Sequence, residues 1–285
     1  MQKFRLDQLL VRKKLTASRS EAENWIKLGK VVVDGRVATR SGQFVLESAR
    51  VNLQTNERYV SRAGLKLASV ARDLALDFRG KIVLDVGSST GGFTDFALQH
   101  GAKKVFAVDV GTDQLHPKLR GSPKIELYEK TDIRDVYLRP ADASLRLASD
   151  PGRANCLPVL SCGPTAGKAE SSPRGKEASA CIELAAIPNI IVMDVSFISL
   201  REILPHIATL AVPKTQIVAM LKPQFEAERE QVTKGVIKND AVRRQILKDF
   251  EVWAKRYFVV IDKKDSDVAG AKGNQERFYL LQLIS

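Results

Sequence analysis

A glycine-rich turn gives the clearest indication of chemistry in this sequence of 285 residues. The apolar run 83–86 contains Asp85 and leads into Gly87, Gly91 and Gly92, after which a helical pattern begins. Glycines let the backbone approach a ligand where any Cβ would clash. The spacing differs from the G-x-G-x-x-G of nicotinamide sites, and an acid stands directly before the turn. We therefore predict a cofactor-binding turn of another kind.

Two further acids stand where nucleotide-like ligands are held in related folds. Asp109 closes the second apolar run, about 20 residues after the turn, where dinucleotide-binding folds place an acid for ribose hydroxyls. Asp132 is predicted to end a third strand in the segment 131–133. An isolated acid at a strand end is also a common helix cap, so Asp132 has two interpretations.

Four charged residues that are distant in the sequence are expected to approach one another. Asp194 and Lys222 each follow an apolar run with the composition of a buried strand. The carboxyl ends of parallel strands converge on one crevice, so these two side chains would be neighbours. Lys66 lies just before the first strand, and Glu276 enters the last one. Taken alone, Lys66 or Glu276 is better explained as a surface charge.

Alternating strand-like and helical segments must position these residues. Short β-rich runs, separated mostly by helical stretches, recur at 81–85, 104–110, 189–195, 216–221 and 258–261. This alternation predicts an α/β fold with a doubly wound, mostly parallel sheet. Asn239 or Asp240 caps a helix whose apolar stripe packs on the sheet, and 277–284 is predicted as an antiparallel strand that closes it.

Residues 139–180 interrupt this alternation with alanine, serine, glycine and proline. So long a stretch without periodicity predicts a disordered insertion, and a binding loop is the alternative. Two of the three cysteines lie there, and the three histidines are scattered. This distribution fits neither a disulfide framework nor a zinc site, so we predict no metal.

The first sixty residues are typical of a separate small module. Leu6, Leu9 and Leu10 share one helical face, a second helix stops at Gly29, and the strand 31–33 runs into an Asp-Gly hairpin turn. Residues 1–62 hold thirteen lysines and arginines against six acids, a net +7 of the chain's +12. The charge and a pI near 9.6 favour a polyanionic partner, above all nucleic acid and less so an anionic membrane surface.

The sequence contains no apolar run near the roughly 18 residues of a membrane span. The segment MQKFRLDQLLVRKK mixes charges with leucines and does not have the pattern of a secretory signal. We therefore expect a cytoplasmic protein without stable membrane association.

The amino-terminal pattern R-L-D-Q-L-L, followed by S-R-S-E-A-x-x-W-I-K-L-G-K-V-V-V-D-G, resembles the S4-type RNA-binding domain over most of residues 3–53. The resemblance implies contacts with RNA phosphates from Arg5, Arg19, Ser20, Lys27 and Lys30. The alternative is a helical face of solvated charges.

The turn D-x-G-x-x-x-G-G looks like the S-adenosylmethionine turn of Rossmann-like methyltransferases, and the order Lys, Asp, Lys, Glu resembles the tetrad of FtsJ-like ribose 2'-O-methyltransferases. With Y-V-S-R-A-G-L-K-L, D-V-S-F-I-S-L and L-K-P-Q-F-E, the whole chain apart from 139–180 is similar to the TlyA family. The resemblance implies four catalytic residues, Lys66, Asp194, Lys222 and Glu276. For S-adenosyl-L-methionine it implies binding by Asp85, Gly87, Ser88, Gly91, Gly92, Phe93, Thr94, Asp109 and Asp132, the last at the adenine.

The implied substrate is a ribose 2'-hydroxyl of ribosomal RNA, a cytidine of 16S or 23S rRNA, with ribosomal RNA or ribosomal subunits as partners. The predicted domains are an S4-type domain at 1–60, a linker and first helix at 61–80, and an FtsJ-like methyltransferase domain at 81–285 that carries the insertion 139–180. A ribose hydroxyl is a poor nucleophile near neutral pH, so the enzyme must align it and remove one proton.

Lys222 is our candidate for accepting that proton or orienting the hydroxyl, with Asp194 and Glu276 fixing its position. Lys66, a like charge, would favour the neutral form of Lys222, whereas the two acids would favour the charged form. Both roles stay open at the level of sequence.

Two other functions compete with methyl transfer. A non-catalytic RNA-binding or ribosome-assembly factor could keep the fold as a scaffold, but a scaffold does not require the glycine turn together with all four charged residues. Members of the family have also been labelled haemolysins. The sequence offers neither a membrane span nor a clear amphipathic pore segment for that activity.

Overall fold

The computed structural model describes residues 2–16, 19–27, 29–54, 58–138, 182–270 and 273–284. The predicted insertion at 139–180 lies outside these ranges, so its disorder stays a prediction. Within them, no helix is both long enough and apolar enough to cross a membrane.

The amino-terminal part contains two helices and two small sheets. Its elements are β1 (Lys3–Arg5), α1 (Leu6–Arg12), α2 (Arg19–Lys27), β2 (Val31–Val33), β3 (Arg36–Val37), β4 (Phe44–Leu46) and β5 (Val51–Leu53). Leu6, Leu9 and Leu10 are buried together against Trp25 and Ile26, as their helical spacing predicts. The hairpin between β2 and β3 turns at Asp34 and Gly35, both with positive φ, which matches the twist of the strands.

A seven-stranded sheet forms the centre of the rest of the molecule. Its strands are β6 (Ile82–Val86), β7 (Lys104–Val108), β8 (Ile125–Tyr128), β11 (Ile190–Met193), β12 (Gln216–Leu221), β13 (Phe258–Asp265) and β14 (Arg277–Leu283). Two further strands, β9 (Val136–Leu138) and β10 (Ile182–Leu184), lie between β8 and β11 in the chain and form a separate parallel pair. The spatial order is β13-β14-β12-β11-β6-β7-β8. Five neighbouring strands, from β12 to β8, are parallel, and β14 pairs antiparallel with both β12 and β13. The predicted doubly wound, mostly parallel sheet is confirmed.

Helices cover both faces of this sheet. They are α3 (Arg62–Ala71), α4 (Gly92–Gln99), α5 (Leu200–Ile207), the short α6 (Pro223–Glu226) and α7 (Asp240–Ala254). Helices α3 and α4 bury one core against the sheet, while α5 and α7 bury a second core on the opposite face. Asn239 caps α7 by accepting hydrogen bonds from two backbone N–H groups, and Leu247 and Phe250 of the predicted stripe are buried. Buried strands of this kind are apolar on both faces, which explains their continuous apolar runs.

Three predictions about the strands need correction. The third strand is β8, so Asp132 lies four residues beyond its end and not at it. The run at 258–261 belongs to an antiparallel strand, β13, that continues to Asp265. The last strand, β14, is antiparallel as predicted, but it lies between β12 and β13, and β13 forms the edge. Strand order depends on pairing between distant segments, which local alternation does not reveal.

Candidate active site

The glycine-rich turn connects β6 to α4 and packs tightly against the end of β11. Gly87 has a φ of 77°, and a Cβ built on it would lie 2.9 Å from the carbonyl oxygen of Asp194. Any other residue would force the two segments apart. The turn therefore brings the backbone of the predicted cofactor site directly beside one of the predicted catalytic residues.

Asp85 lies under this turn and is almost fully buried. Its Oδ2 accepts a hydrogen bond of 2.6 Å from Thr94 Oγ1 of α4, whereas its Oδ1 has no hydrogen-bond partner among the described residues. Burial raises the pKa of Asp85 to about 7, and the negative charges of Asp194 and Asp109 act in the same direction against the hydrogen bond from Thr94. A carboxyl of this kind can be neutral near physiological pH.

Asp109 fastens the turn from the neighbouring strand. Its Oδ2 accepts a hydrogen bond of 2.7 Å from the backbone N–H of Ser89, and its Oδ1 accepts one of 2.6 Å from Gly111. A carboxylate has about four acceptor positions, so these two bonds leave capacity for a ligand hydroxyl. Asp109 thus stands directly after β7 and beside the turn, as the sequence predicts.

Asp132 and Phe93 have structural roles in this arrangement. Asp132 caps a short 3-10 turn and accepts hydrogen bonds from the backbone and the guanidinium of Arg134. The prediction that Asp132 is a helix cap is therefore confirmed, and its binding of adenine stays a prediction. The ring of Phe93 is buried in the core near Phe278, so only its backbone is left to contact a cofactor.

Lys66 and Glu276 form a buried ion pair. Lys66 Nζ lies 2.5 Å from Glu276 Oε2, and the two side chains are 11% and 3% exposed. Helix α3 supplies the lysine, and the residue directly before β14 supplies the acid. Such burial of both charges is costly unless they are paired. Two residues that looked like surface charges when considered singly are thus partners in the interior.

Lys222 forms a second lysine–carboxylate pair at the end of β12. Its Nζ lies 2.6 Å from Asp194 Oδ1 and donates a hydrogen bond of 2.6 Å to Ser196 Oγ. The β12–β14 register pairs Leu221 with Arg277, so the next residues along, Lys222 and Glu276, enter the same end of the sheet. The structure therefore brings the four predicted residues to one edge as two ion pairs.

Several residues at this edge were not predicted as site residues. Phe197 is 92% exposed with a φ of 66°, and its ring centroid lies 5.3 Å from that of Phe225. Lys222 Nζ lies 5.9 Å from the Phe225 ring. Ser196, the acceptor for Lys222, belongs to the same segment as Phe197. The sequence does show an aromatic residue, Phe197, shortly after the end of β11, but the sequence pattern does not reveal that its ring is exposed.

The predicted RNA-binding arginines share an acid in the amino-terminal part. Arg5 donates two hydrogen bonds to the buried Asp7, and Arg19 donates one of 2.9 Å to the same carboxylate. Burial alone would raise the pKa of Asp7, but the two arginines outweigh it and hold the pKa at about 2. Both arginines remain substantially exposed, and Lys30 is half-buried. The side chains of Ser20 and Lys27 lie outside the part of the chain that the structure describes.

A doubly wound sheet with a glycine turn after its first strand, acids after the next strands and lysine–carboxylate pairs at the carboxyl edge defines a Rossmann-like methyltransferase fold. The FtsJ-like methyltransferase family matches residues 59–283, and the S4 domain family matches residues 4–51. The chain therefore belongs to the TlyA family, in which an S4 domain precedes an FtsJ-like methyltransferase domain.

Named relatives cover the chain almost completely. The 16S/23S rRNA (cytidine-2'-O)-methyltransferase TlyA of Mycobacterium tuberculosis is 30% identical over 98% of this chain and 89% of its own length. Hemolysin A of Brachyspira hyodysenteriae is 34% identical over 99% of this chain and 100% of its own. The solved structure of a candidate hemolysin from Streptococcus thermophilus is 32% identical, covers 100% of this chain and 90% of its own, and has a TM-score of 0.63.

The residues around the glycine turn fit the cofactor that this fold implies. Ser88 Oγ and Asp85 Oδ1 are buried without hydrogen-bond partners in the described ranges. Buried polar atoms without partners are rare and commonly mark a ligand or an ion. Together they place polar groups beside the glycine turn, as the binding of a nucleoside-containing methyl donor requires.

Proposed function

We propose that this protein transfers a methyl group from S-adenosyl-L-methionine to a ribose 2'-hydroxyl of ribosomal RNA. The observation that carries the proposal is the pair of ion pairs, Lys66–Glu276 and Lys222–Asp194, at the sheet edge beside the glycine turn. The names of the relatives in Mycobacterium tuberculosis and Campylobacter jejuni support a cytidine of 23S rRNA, and the former also one of 16S rRNA, as the target.

S-adenosylmethionine, when bound, supplies a methyl group already activated on a positively charged sulfur. We assign its binding to Asp85, Gly87, Ser88 and Asp109, with backbone contacts from the turn up to Thr94. The acceptor hydroxyl must then be aligned and must lose its proton as the new bond forms.

We assign Lys222 the role of orienting the hydroxyl. An ammonium has three N–H donors and no acceptor. Within the described residues, Lys222 donates one hydrogen bond to Ser196 and lies in ion-pair contact with Asp194. A remaining donor can point to the ribose oxygen and stabilise the negative charge that develops on it. The carboxylate of Asp194 fixes the direction of the lysine, and water takes up the released proton.

The Lys66–Glu276 pair acts as support for this edge. Glu276 is adjacent in register to Lys222, and Lys66 neutralises it from helix α3. Without Lys66, the carboxylate of Glu276 would be unpaired and would compete with Asp194 for the ammonium of Lys222. We therefore propose that Lys66 keeps Glu276 from drawing the Lys222 ammonium away from Asp194.

The exposed ring of Phe197 favours a substrate in which the target nucleotide is not base-paired. Proteins that recognise RNA commonly stack splayed-out bases on aromatic side chains. Phe197 is in ring contact with Phe225, which in turn neighbours Lys222. We propose that the target base stacks on Phe197 while its ribose faces Lys222.

The basic amino-terminal part is the proposed anchor on the ribosomal RNA. Contacts with phosphates supply affinity without reading the sequence of bases. Arg5 and Arg19 are held by Asp7 with part of each guanidinium exposed, so they reach RNA from a fixed position. Because ribosomes are its proposed substrate, we place the protein in the cytoplasm.

Transfer of labelled methyl to free rRNA, separated subunits and intact ribosomes tests the proposed function. We expect label in ribosomal RNA at a linkage that resists alkaline cleavage, since methylation removes the 2'-hydroxyl that attacks the phosphate. Measurable cofactor binding without labelled RNA would contradict the proposed substrate. No cofactor binding would instead favour the RNA-binding scaffold.

A further inference from the structure

A cavity lies between the S4 domain and the methyltransferase domain, away from the glycine turn and the four charged residues. Its volume is about 130 Å³. The S4 side contributes Trp25 and Lys30, the connecting segment contributes Arg58 and Tyr59, and the loop after β7 contributes His116 and Lys118. The S4 side, the connecting segment and the loop after β7 therefore each supply cationic or aromatic side chains, and helix α4 supplies Asp95 and Gln99.

The charges that line the cavity favour an anion. Lys30, Arg58 and Lys118 are cationic, and Asp95 is the acid among the lining residues. Both oxygens of Asp95 are engaged, since Oδ2 accepts a hydrogen bond of 2.8 Å from the Val60 backbone and Oδ1 one of 2.9 Å from Gln99. These two bonds hold the connecting segment on α4, and the three cationic side chains outnumber the one acid that lines the cavity.

Aromatic rings form the rest of the wall. Trp25 and His116 meet edge to face with centroids 4.3 Å apart. Tyr59 is 2% exposed, and the guanidinium carbon of Arg58 lies 5.3 Å from the centre of its ring. Cations beside aromatic rings are the combination that binds single-stranded nucleic acid.

The cavity wall is also joined to the glycine turn. The backbone N–H of His116 donates a hydrogen bond of 3.1 Å to the carbonyl of Thr90. Leu119, which lines the cavity, lies so close to Gly91 that a Cβ there would be 2.5 Å from it. A ligand in the cavity would therefore contact a loop that packs directly on the glycine turn.

We propose that this cavity binds the phosphate of a second unpaired nucleotide of the RNA substrate, held by Lys30, Arg58 and Lys118. The inference rests on the proposed function, because it takes RNA as the ligand. It adds a contact that neither the S4 domain nor the methyltransferase domain could make alone, and so it fixes the RNA relative to both.

The test measures binding of a fluorescently labelled eight-nucleotide single-stranded RNA by anisotropy at several salt concentrations. Lys118→Gln is compared with Lys214→Gln, because Lys214 is also an exposed lysine and lies on the loop before β12. We expect Lys118→Gln to weaken binding about threefold to tenfold and to lower the salt slope by about 0.7, the loss of one phosphate contact on a single strand. Lys214→Gln should match the wild type, and duplex RNA of equal length should not distinguish the two variants.

Tyr59→Phe gives an independent readout. Removal of the hydroxyl that interacts with the Arg58 guanidinium should loosen Arg58 and lower the affinity for the single strand, in a variant that thermal unfolding shows to be folded. Equal affinities and salt slopes for Lys118→Gln and Lys214→Gln would overturn the proposal. Displacement of the RNA by micromolar cytidine 5'-monophosphate would overturn it as well, by assigning the cavity to free nucleotides.

Methyl transfer to ribosomal subunits, measured in parallel, separates this inference from the proposed function. Loss of RNA affinity in Lys118→Gln without any transfer by the wild type would refute the methylation target and uphold the cavity. Normal transfer by the wild type, with no effect of Lys118→Gln on binding, would refute the cavity alone.

Discussion

Asp85 links protonation to stability at the scale of a single residue. Its pKa is raised from 3.8 to about 7 in the folded protein, so the folded state retains a proton that the unfolded chain releases between those values. Stability therefore falls as pH rises from about 4 to 7, by up to a few kcal/mol. Asp85→Asn, which cannot ionise, should remove this part of the pH dependence in denaturant unfolding.

The exposed Asp267 provides the matched control for that measurement. Asp267→Asn should retain the wild-type dependence of unfolding free energy on pH. Identical pH profiles for wild type and Asp85→Asn would show that the Asp85 carboxyl does not hold its proton.

Lys66 and Glu276 should behave as a coupled buried pair. Removal of one partner leaves an uncompensated charge in the interior, and we expect Lys66→Met or Glu276→Gln to cost about 3 kcal/mol of unfolding free energy. The double variant should be more stable than the sum of the single losses predicts. Methyl transfer should be impaired in all three variants. Additive stability losses would show that the two side chains do not interact.

At the scale of elements, the contact between α3 and α4 positions Lys66. A Cβ on Gly64 would lie 2.6 Å from the Cβ of Tyr59 and 2.9 Å from the carbonyl oxygen of Gly92. Gly64→Ala must therefore push the helices apart, and we expect a loss of about 1–3 kcal/mol together with reduced methyl transfer.

Gly42→Ala is the control for this substitution, because its Cβ would come no closer than 3.6 Å to the guanidinium of Arg5. Thermal unfolding and methyl-transfer rates of both variants provide the comparison. Equal effects of the two substitutions would contradict the role of the close helix approach.

Elements with a strong local pattern were predictable from the sequence, whereas their order in the sheet was not. Apolar runs marked β6, β7, β11 and β12, and the glycine turn marked the start of α4. The insertion of β14 between β12 and β13 depends on pairing between distant strands, so periodicity could not reveal it. Asp132 was placed at a strand end because β8, with its half-buried residues, has a weaker pattern.

The sequence predicted which charged residues belong to the candidate site, but it did not predict both of the ion pairs that they form. Parallel strand ends predict that Asp194 and Lys222 are neighbours, and the structure agrees. That Lys66 pairs with Glu276 follows from the packing of α3 on the sheet and the position of β14, which are long-range features. The exposure of Phe197 depends on a backbone with positive φ, which its sequence context does not specify.

At the scale of the whole molecule, the predicted insertion should be dispensable for folding. Strands β9 and β10 flank it and pair in parallel, with Val136 opposite Ile182. A connection between parallel strands needs about a dozen residues. Replacement of residues 139–180 by a twelve-residue glycine-serine linker should therefore preserve methyl transfer and change the melting temperature by only a few degrees. Loss of activity in a folded variant would favour a binding loop.

The most direct test of the central claim compares Lys222→Ala with Lys214→Ala. The measurement is the single-turnover rate of methyl transfer to whichever substrate the wild type methylates, free rRNA, a ribosomal subunit or the intact ribosome. The affinity for S-adenosylmethionine is measured alongside by calorimetry. We predict that Lys222→Ala keeps cofactor affinity within about threefold and loses about 100-fold or more in rate, whereas Lys214→Ala matches the wild type. A near-normal rate for Lys222→Ala would contradict the assignment of this sheet edge as the site of methyl transfer.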